Sequence, residues 1–123
     1  NDLTIISTGC VLDDVLHSAK SIEEQTGKSV RVINIHTLKP LDEEIIIKAA
    51  KETDLLVTVE DHSIIGGLGS AVSEVLTEHC PSRLVRIGLN DEFPESGPPI
   101  ELYEKYGLSS NQISKRIIDE LDK

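Results

Sequence analysis

Leu55-Leu56-Val57-Thr58-Val59-Glu60-Asp61-His62-Ser63-Ile64-Ile65-Gly66-Gly67-Leu68-Gly69-Ser70-Ala71-Val72-Ser73-Glu74-Val75-Leu76 carries a strand, a turn and a helix in one unbroken run. Residues 55–59 are apolar except for one threonine, as a strand buried on both faces requires. From Leu68 the period changes. Leu68, Ala71, Val72, Val75 and Leu76 recur at i, i+3, i+4, i+7 and i+8, which places all five on one helical face. Between the two elements lie the charged turn Glu60-Asp61-His62 and the glycines Gly66, Gly67 and Gly69. Open α/β sheets place ligands or partners in such connections, outside the carboxyl ends of their strands. The glycines allow a sharp turn and the close approach of another chain.

The same alternation extends in both directions. Leu3–Ser7 reads as a first strand, followed by Thr8-Gly9 and a helix over about 10–26. Val11, Leu12, Val15, Leu16, Ala19 and Ile22 form its apolar stripe, and Gly27 is a natural stop. Residues 30–35 form a second strand rich in β-branched side chains. A helix over about 42–52 follows Pro40, with Asp42, Glu43 and Glu44 at its start and Lys48 and Lys51 later, as the helix dipole favours. Leu68–His79 is the third helix and Leu84–Leu89 the fourth strand, after the Pro81-Ser82 turn. Residues 90–99 contain three prolines and a glycine and read as a surface loop. A short helix over 100–106 is ended by Gly107. The last helix has Ser109 as N-cap, Gln112 at the third helical position and a Leu108–Ile113 staple, and runs to about Leu121. The pattern predicts one α/β domain over 1–123: a three-layer αβα sandwich around a mostly parallel sheet of about five strands.

Composition narrows the function classes. At 123 residues the chain suits a single domain. Twelve Lys and Arg stand against 22 Asp and Glu, a formal charge of −10, and such a surface repels phosphate backbones. Phe93, Tyr103 and Tyr106 are the only aromatic side chains, too few for a base-stacking platform. No nucleic-acid partner is expected. No apolar run approaches the roughly 20 residues that span a bilayer, and no membrane partner is expected either. The stretch 90–104 carries five acids and no Lys or Arg, which suits a solvated face or docking to a basic partner. Cys10 and Cys80 lie far apart without ligand spacing, consistent with a reduced, cytoplasmic chain. Cys10 falls where a helix begins, and its alternatives are a small buried side chain or a thiol of lowered pKa. The first residue is Asn1, not Met, which suggests a piece of a longer protein.

A self-contained catalytic set is missing. Gly67-Leu68-Gly69 is followed by Ser70-Ala71-Val72, so the third glycine of G-x-G-x-x-G is absent, and no G-K-[ST] occurs. His62 beside Glu60 and Asp61 resembles an acid-base or metal cluster, yet neighbours in a loop rarely converge on one point and no second ligand stands at a usable spacing. Two readings of His62 remain: a histidine lent to another domain's active site, or one that fixes the loop with Glu60 by hydrogen bonds. His17, His36 and His79 have no evident chemical partner. Ser63, Ser70 and Ser96 lack the G-x-S-x-G elbow.

The residues 59–72, from strand through Glu60-Asp61-His62-Ser63-Ile64-Ile65-Gly66-Gly67-Leu68-Gly69-Ser70, resemble the carboxy-terminal domain of transketolase-like, thiamine diphosphate-dependent enzymes. Ile35-His36-Thr37-Leu38-Lys39-Pro40-Leu41-Asp42 is similar to that family's T-[IL]-[KR]-P-[LI]-D turn. Phe93-Pro94-Glu95-Ser96-Gly97-Pro98, with Leu102-Tyr103 and Tyr106-Gly107-Leu108, looks like its F-x-x-S-G…L…Y-G-L tail. The three motifs occur in the family's order, and the resemblance is greatest to the carboxy-terminal subunit of split transketolases. Deoxyxylulose-phosphate synthases and 2-oxoacid dehydrogenase beta subunits share the glycine loop.

The resemblance implies a parent enzyme that holds thiamine diphosphate with a divalent metal such as Mg and passes a two-carbon ketol unit between sugar phosphates. The family's G-D-G…Asn cofactor motif and its pyrimidine-domain glutamate are absent here, so this domain is expected to bind no cofactor and to be inactive alone. Its implied partners are the pyrophosphate- and pyrimidine-binding domains or subunit, in a homodimer of the complete enzyme. Glu60, His62, Gly66, Gly67, Gly69 and Ser70 match the shared loop; Glu60 and His62 are candidate supporting residues, and the glycines with Ser70 mark a domain interface. The loop Asp61 to Ser70 is expected to order fully only against the neighbouring domains, with His62 near the mouth of the active site. The alternative is the docking role of a 2-oxoacid dehydrogenase beta subunit, resting on the acidic stretch 90–104, or a deoxyxylulose-phosphate synthase domain.

Overall fold

A computed structural model describes residues 2–8, 11–35, 41–63, 67–89 and 110–122, with the backbone alone for 61–63 and 89. Strand and helix alternate as β1 (Leu3–Ser7), α1 (Leu12–Thr26), β2 (Val30–Asn34), α2 (Glu43–Glu52), β3 (Leu55–Ser63), α3 (Leu68–His79), β4 (Leu84–Leu89) and α4 (Ser110–Leu121). All pairings are parallel, and the strand order is β2-β1-β3-β4. Ile5 lies between Val32 and Val57, and Thr58 is the partner of Arg86. Every residue of β1 is buried, because β1 has a strand on each side and helices above and below. That explains its mainly apolar sequence, with Thr4 and Ser7 as small polar exceptions.

The two faces of the sheet build separate halves of the core. Leu3, Ile5, Leu55, Val57, Val59, Val85 and Ile87 meet Val15, Ala19 and Ile22 of α1 and Ile113 and Ile117 of α4. Ile6, Ile33 and Leu56 meet Ile46 and Ala49 of α2 and Leu68, Val72, Val75 and Leu76 of α3. The chain is therefore an αβα sandwich. Its helices begin and end as local chemistry dictates. Asp42 caps α2 by accepting the Ile45 amide at 3.3 Å. Gly27 ends α1 in the left-handed region at φ 75°, returning its N–H to the Glu23 carbonyl at 3.0 Å. The Asp2 carboxylate accepts the Ser29 amide at 2.9 Å and so joins the start of β1 to that of β2. This backbone hydrogen bond holds the Asp2 carboxyl below the usual carboxylate range.

Several expected details change. Four strands stand in the sheet among the described residues, against about five expected; residues 90–109, with the expected short helix, lie outside them. α1 begins at Leu12 rather than near residue 10, and Cys10 falls outside the described residues. β3 runs on to Ser63, four residues past its expected end. Leu16, placed in the buried stripe of α1, is 48% exposed, while Ser18 is buried. The Ser18 hydroxyl donates to the carbonyls of Asp14 at 2.7 Å and Ser110 at 2.9 Å, so a small polar residue fills the place where α4 crosses α1. Among the described residues no helix is long and apolar enough to cross a membrane.

Candidate functional site at the end of β3

The strand order decides where the site lies. From β1 the chain moves outward to β2 by way of α1 on one face. It then returns past β1 to β3 by way of α2 on the other face. The order thus reverses between β1 and β3, and such reversal points are where open α/β sheets bind ligands. Their carboxyl ends are Ser7-Thr8 and the run from Val59 to Ser63, joined by the Thr8 amide donating to the Val59 carbonyl at 3.4 Å. The connection singled out by its glycines leaves the sheet here.

β3 is irregular at this edge. Between Val59 and Ser63 it advances four residues while β4 advances two, from Ile87 to Leu89. Such a bulge unpairs backbone and re-aims side chains, and bulges gather beside active sites. Glu60 sits in it. Although charged, Glu60 is 1% exposed, and it faces α3 together with Thr58 and Leu56. Its carboxylate accepts the backbone amides of Leu68 at 3.0 Å and Gly69 at 2.9 Å, the first two residues of α3. The N-cap residue, Gly67, has no side chain with which to cap them. A helix start buried without acceptors leaves amides unsatisfied, so an acceptor must come from elsewhere, and it comes from eight residues upstream. The negative charge is also well placed at the positive end of the helix dipole.

Gly69 makes this approach feasible. A Cβ at position 69 would stand 2.8 Å from Cδ of Arg86 and 3.1 Å from Oγ1 of buried Thr58. The helix start rests on the Thr58–Arg86 rung of the sheet, and only glycine leaves room for it. Gly69→Ala is therefore expected to destabilise the chain by about 1–3 kcal/mol, through overpacking. An unchanged thermal midpoint would show instead that Arg86 yields freely. Two buried hydroxyls lack a hydrogen-bond partner among the described residues, Ser7 Oγ and Thr58 Oγ1. Ser7 ends β1, and Thr58 on the adjacent β3 is the partner of Ile6.

This geometry bears on cofactor binding. A diphosphate would use the free amides of a helix start. At α3 those of Leu68 and Gly69 are taken by the chain's own carboxylate, whose charge repels a second anion. Thiamine diphosphate does not fit there. Among the described residues no group of three or more His, Cys, Asp or Glu comes together to hold a metal ion.

The structure places Glu60, Gly67, Gly69 and Ser70 together at the neck of the connection, with the backbone of His62 at the end of β3. Gly66 and the His62 side chain lie outside the described residues. Within the run Asp61 to Ser70, Leu68 to Ser70 form the first turn of α3, and Glu60 accepts the amides of Leu68 and Gly69. The helix-to-helix contact His79–Glu43 was missed by the sequence reading: Nε2 of His79 lies 3.4 Å from a Glu43 carboxylate oxygen. Cys80 is a free, half-buried thiol. The acidic stretch 90–104 and the aromatic tail motif lie outside the described residues, as do residues 36–40 of the proline turn.

Known proteins resemble this chain in sequence and fold. The family model described as "Transketolase, C-terminal domain" matches residues 1–113. A protein of Methanocaldococcus jannaschii named as a transketolase C-terminal section is 47% identical over 123 residues, covering 99% of this chain and 38% of that protein. The 6-deoxy-6-sulfo-D-fructose transketolase subunit SqwH of Clostridium sp. (strain MSTE9) is 44% identical over 112 residues, covering 91% of this chain and 34% of that one. A solved structure titled "Split gene transketolase, inactive beta4 tetramer" is 42% identical and superposes with a TM-score of 0.86, covering 96% of this chain and 38% of that chain. The chain thus spans little more than a third of each of these relatives. It belongs to the transketolase C-terminal domain family.

Proposed function

We propose that this chain is the C-terminal domain of a thiamine diphosphate-dependent transketolase, a transferase that moves a two-carbon ketol unit from a ketose phosphate to an aldose phosphate. The observation that carries this reading is the family match over nearly the whole chain, joined to a helix start already filled by Glu60. A domain so built supports an active site rather than holding the cofactor. Thiamine diphosphate and its divalent metal belong, on this reading, to the pyrophosphate- and pyrimidine-binding domains, as further parts of the same chain or as a separate subunit. The present domain packs against them, strengthens a homodimer of the complete enzyme, and works in the cytoplasm. Its contribution to the catalytic centre is the β3–α3 connection, with His62 toward the mouth of the site and Gly66, Gly67, Gly69 and Ser70 at the domain boundary.

Reconstitution tests the reading. The chain is combined with the thiamine- and pyrimidine-binding parts encoded with it, then supplied with thiamine diphosphate and Mg, xylulose 5-phosphate as donor and ribose 5-phosphate as acceptor. Ketol transfer is expected from the combination and none from the chain alone. A correctly assembled but inactive combination would defeat the transketolase assignment. Transfer by the chain alone would defeat the supporting role.

A further inference from the structure

We propose that two copies of this chain associate across the outer edge of β2, about a two-fold axis that sets Leu16 against Leu16 and Ile45 against Ile45. β2 ends the sheet, and no strand lies beyond it among the described residues. Such an edge is a ready place for another chain to dock. Leu16 and Ile45, 48% and 36% exposed, are the exposed large apolar side chains among the described residues. They stand on different helices, on opposite faces of the sheet, yet both flank this edge. Leu16 precedes Glu23 by seven residues, two turns along one flank of α1, and Glu23 accepts the Val30 amide of β2 at 3.1 Å. Ile45 precedes Glu52 by seven residues, two turns along one flank of α2, and Glu52 holds Arg31 of β2 at 2.9 Å. Val30 and Arg31 are neighbours. The two apolar side chains therefore lie at nearly one height, about 10 Å toward the carboxyl end of β2.

The charges around them select a second copy as the occupant. On each helix an exposed acid lies one turn before the apolar residue and an exposed lysine one turn after it. These are Asp13 and Lys20 around Leu16, and Asp42 and Lys48 around Ile45. Residues three or four apart are neighbours on a helix, so each charge borders its apolar residue. A two-fold axis normal to the sheet runs each helix antiparallel to its counterpart. Lys20 then faces Asp13 of the second copy and Lys48 faces Asp42 of the second copy, each contact made twice. A parallel copy would set lysine on lysine. The patch is thus self-complementary in the one symmetry that closes a dimer, and both helices agree on it. Each copy folds without the contact, so the stability of the dilute chain does not depend on it. The inference concerns the assembly of this chain and needs no assumption about ketol transfer.

Sedimentation velocity on the chain, in about 0.15 M salt, reads the association directly. The wild type should dimerise with rising concentration. L16D should raise the dissociation constant at least about 10-fold. K20D should also weaken the dimer, because it opposes two acids, and D13K combined with K20D should restore it. A purely structural effect on α1 would not be rescued in this way. Disulfide trapping fixes the geometry. With Cys10 and Cys80 replaced by serine, L16C and I45C should each give a covalent dimer on mild oxidation, since a residue beside the axis meets its own copy, whereas K115C on α4 should not. A monomeric wild type, a dimer indifferent to L16D, a charge swap without rescue, or equal trapping at K115C would each overturn the proposal. Should L16D fail to fold, the charge swap and the cross-links decide. Shielding of Leu16 only after the thiamine- and pyrimidine-binding parts are added would place a neighbouring domain on this edge and exclude the second copy. None of these outcomes touches ketol transfer by the reconstituted enzyme, and an inactive reconstitution leaves the dimer standing.

Discussion

Glu60→Ala is expected to lower the unfolding free energy of the chain by about 3–5 kcal/mol, read from urea denaturation. The size follows from what is left behind. The Leu68 and Gly69 amides are buried against the sheet, and each loses a charge-assisted hydrogen bond when the carboxylate goes. An unsatisfied buried donor costs about 1–3 kcal/mol, and here there are two. The favourable charge at the helix start, worth up to about 2 kcal/mol when partly buried, is lost as well. Working the other way, the native state no longer has to bury an ionised carboxylate, which by itself costs several kcal/mol. The unsatisfied donors should win, because water cannot readily reach amides beneath Leu68 and Gly69. Glu60→Gln retains one acceptor and should lose only about 1–2 kcal/mol. A Glu60→Ala loss below about 1 kcal/mol would mean that solvent replaces the carboxylate and that the pair of hydrogen bonds contributes little.

The fold was largely legible because its two periods are clean. Leu3 to Ser7 and Leu55 to Val59 are mainly apolar runs in central strands, while α2 and α3 carry apolar stripes with charges elsewhere. The end of β3 was not legible, for a physical reason. Glu60-Asp61-His62 reads as a charged turn, and burial of a glutamate is unfavourable unless its oxygens are paired. The partners are backbone amides eight and nine residues later, invisible to any side-chain pattern. One signal was present, however. A helix starting at Leu68 has Gly67 at its N-cap and no Ser, Thr, Asp or Asn beside it, so its amides needed an acceptor from outside. Glu60 and Asp61 are the acids in the strand leading to it. Gly69 likewise read as part of a flexible cluster, whereas its place depends on a cross-strand rung, Thr58 and Arg86, that exists only once the sheet has formed.

Ile117→Ala should destabilise the chain by about 2–5 kcal/mol, while Leu16→Ala should change its stability by no more than about 0.5 kcal/mol. Sequence alone ranks these two residues alike, as apolar positions on amphipathic helices. The structure separates them. Ile117 is fully buried beside Ile113, among α1 and the residues Leu3, Ile5 and Val57 of the sheet. Its truncation leaves a cavity that rigid strands cannot fill, so the lost transfer energy is joined by lost packing. Leu16 points away from α4 and is half exposed, because α4 crosses α1 over Ser18 instead. The crossing is set by the Ser18 hydroxyl on the Ser110 carbonyl and by the Arg83–Glu120 ion pair at 2.7 Å, which ties α4 to the turn before β4. The ion pair is exposed enough to be worth about 1 kcal/mol or less, so the apolar face must hold the helix down. Urea midpoints of the two variants check this, provided the denaturant slope is unchanged. Equal losses would mean that α4 is not the layer closing this side of the sheet. A small loss in Ile117→Ala with a large one in Leu16→Ala would place the true contact on the opposite face of α1.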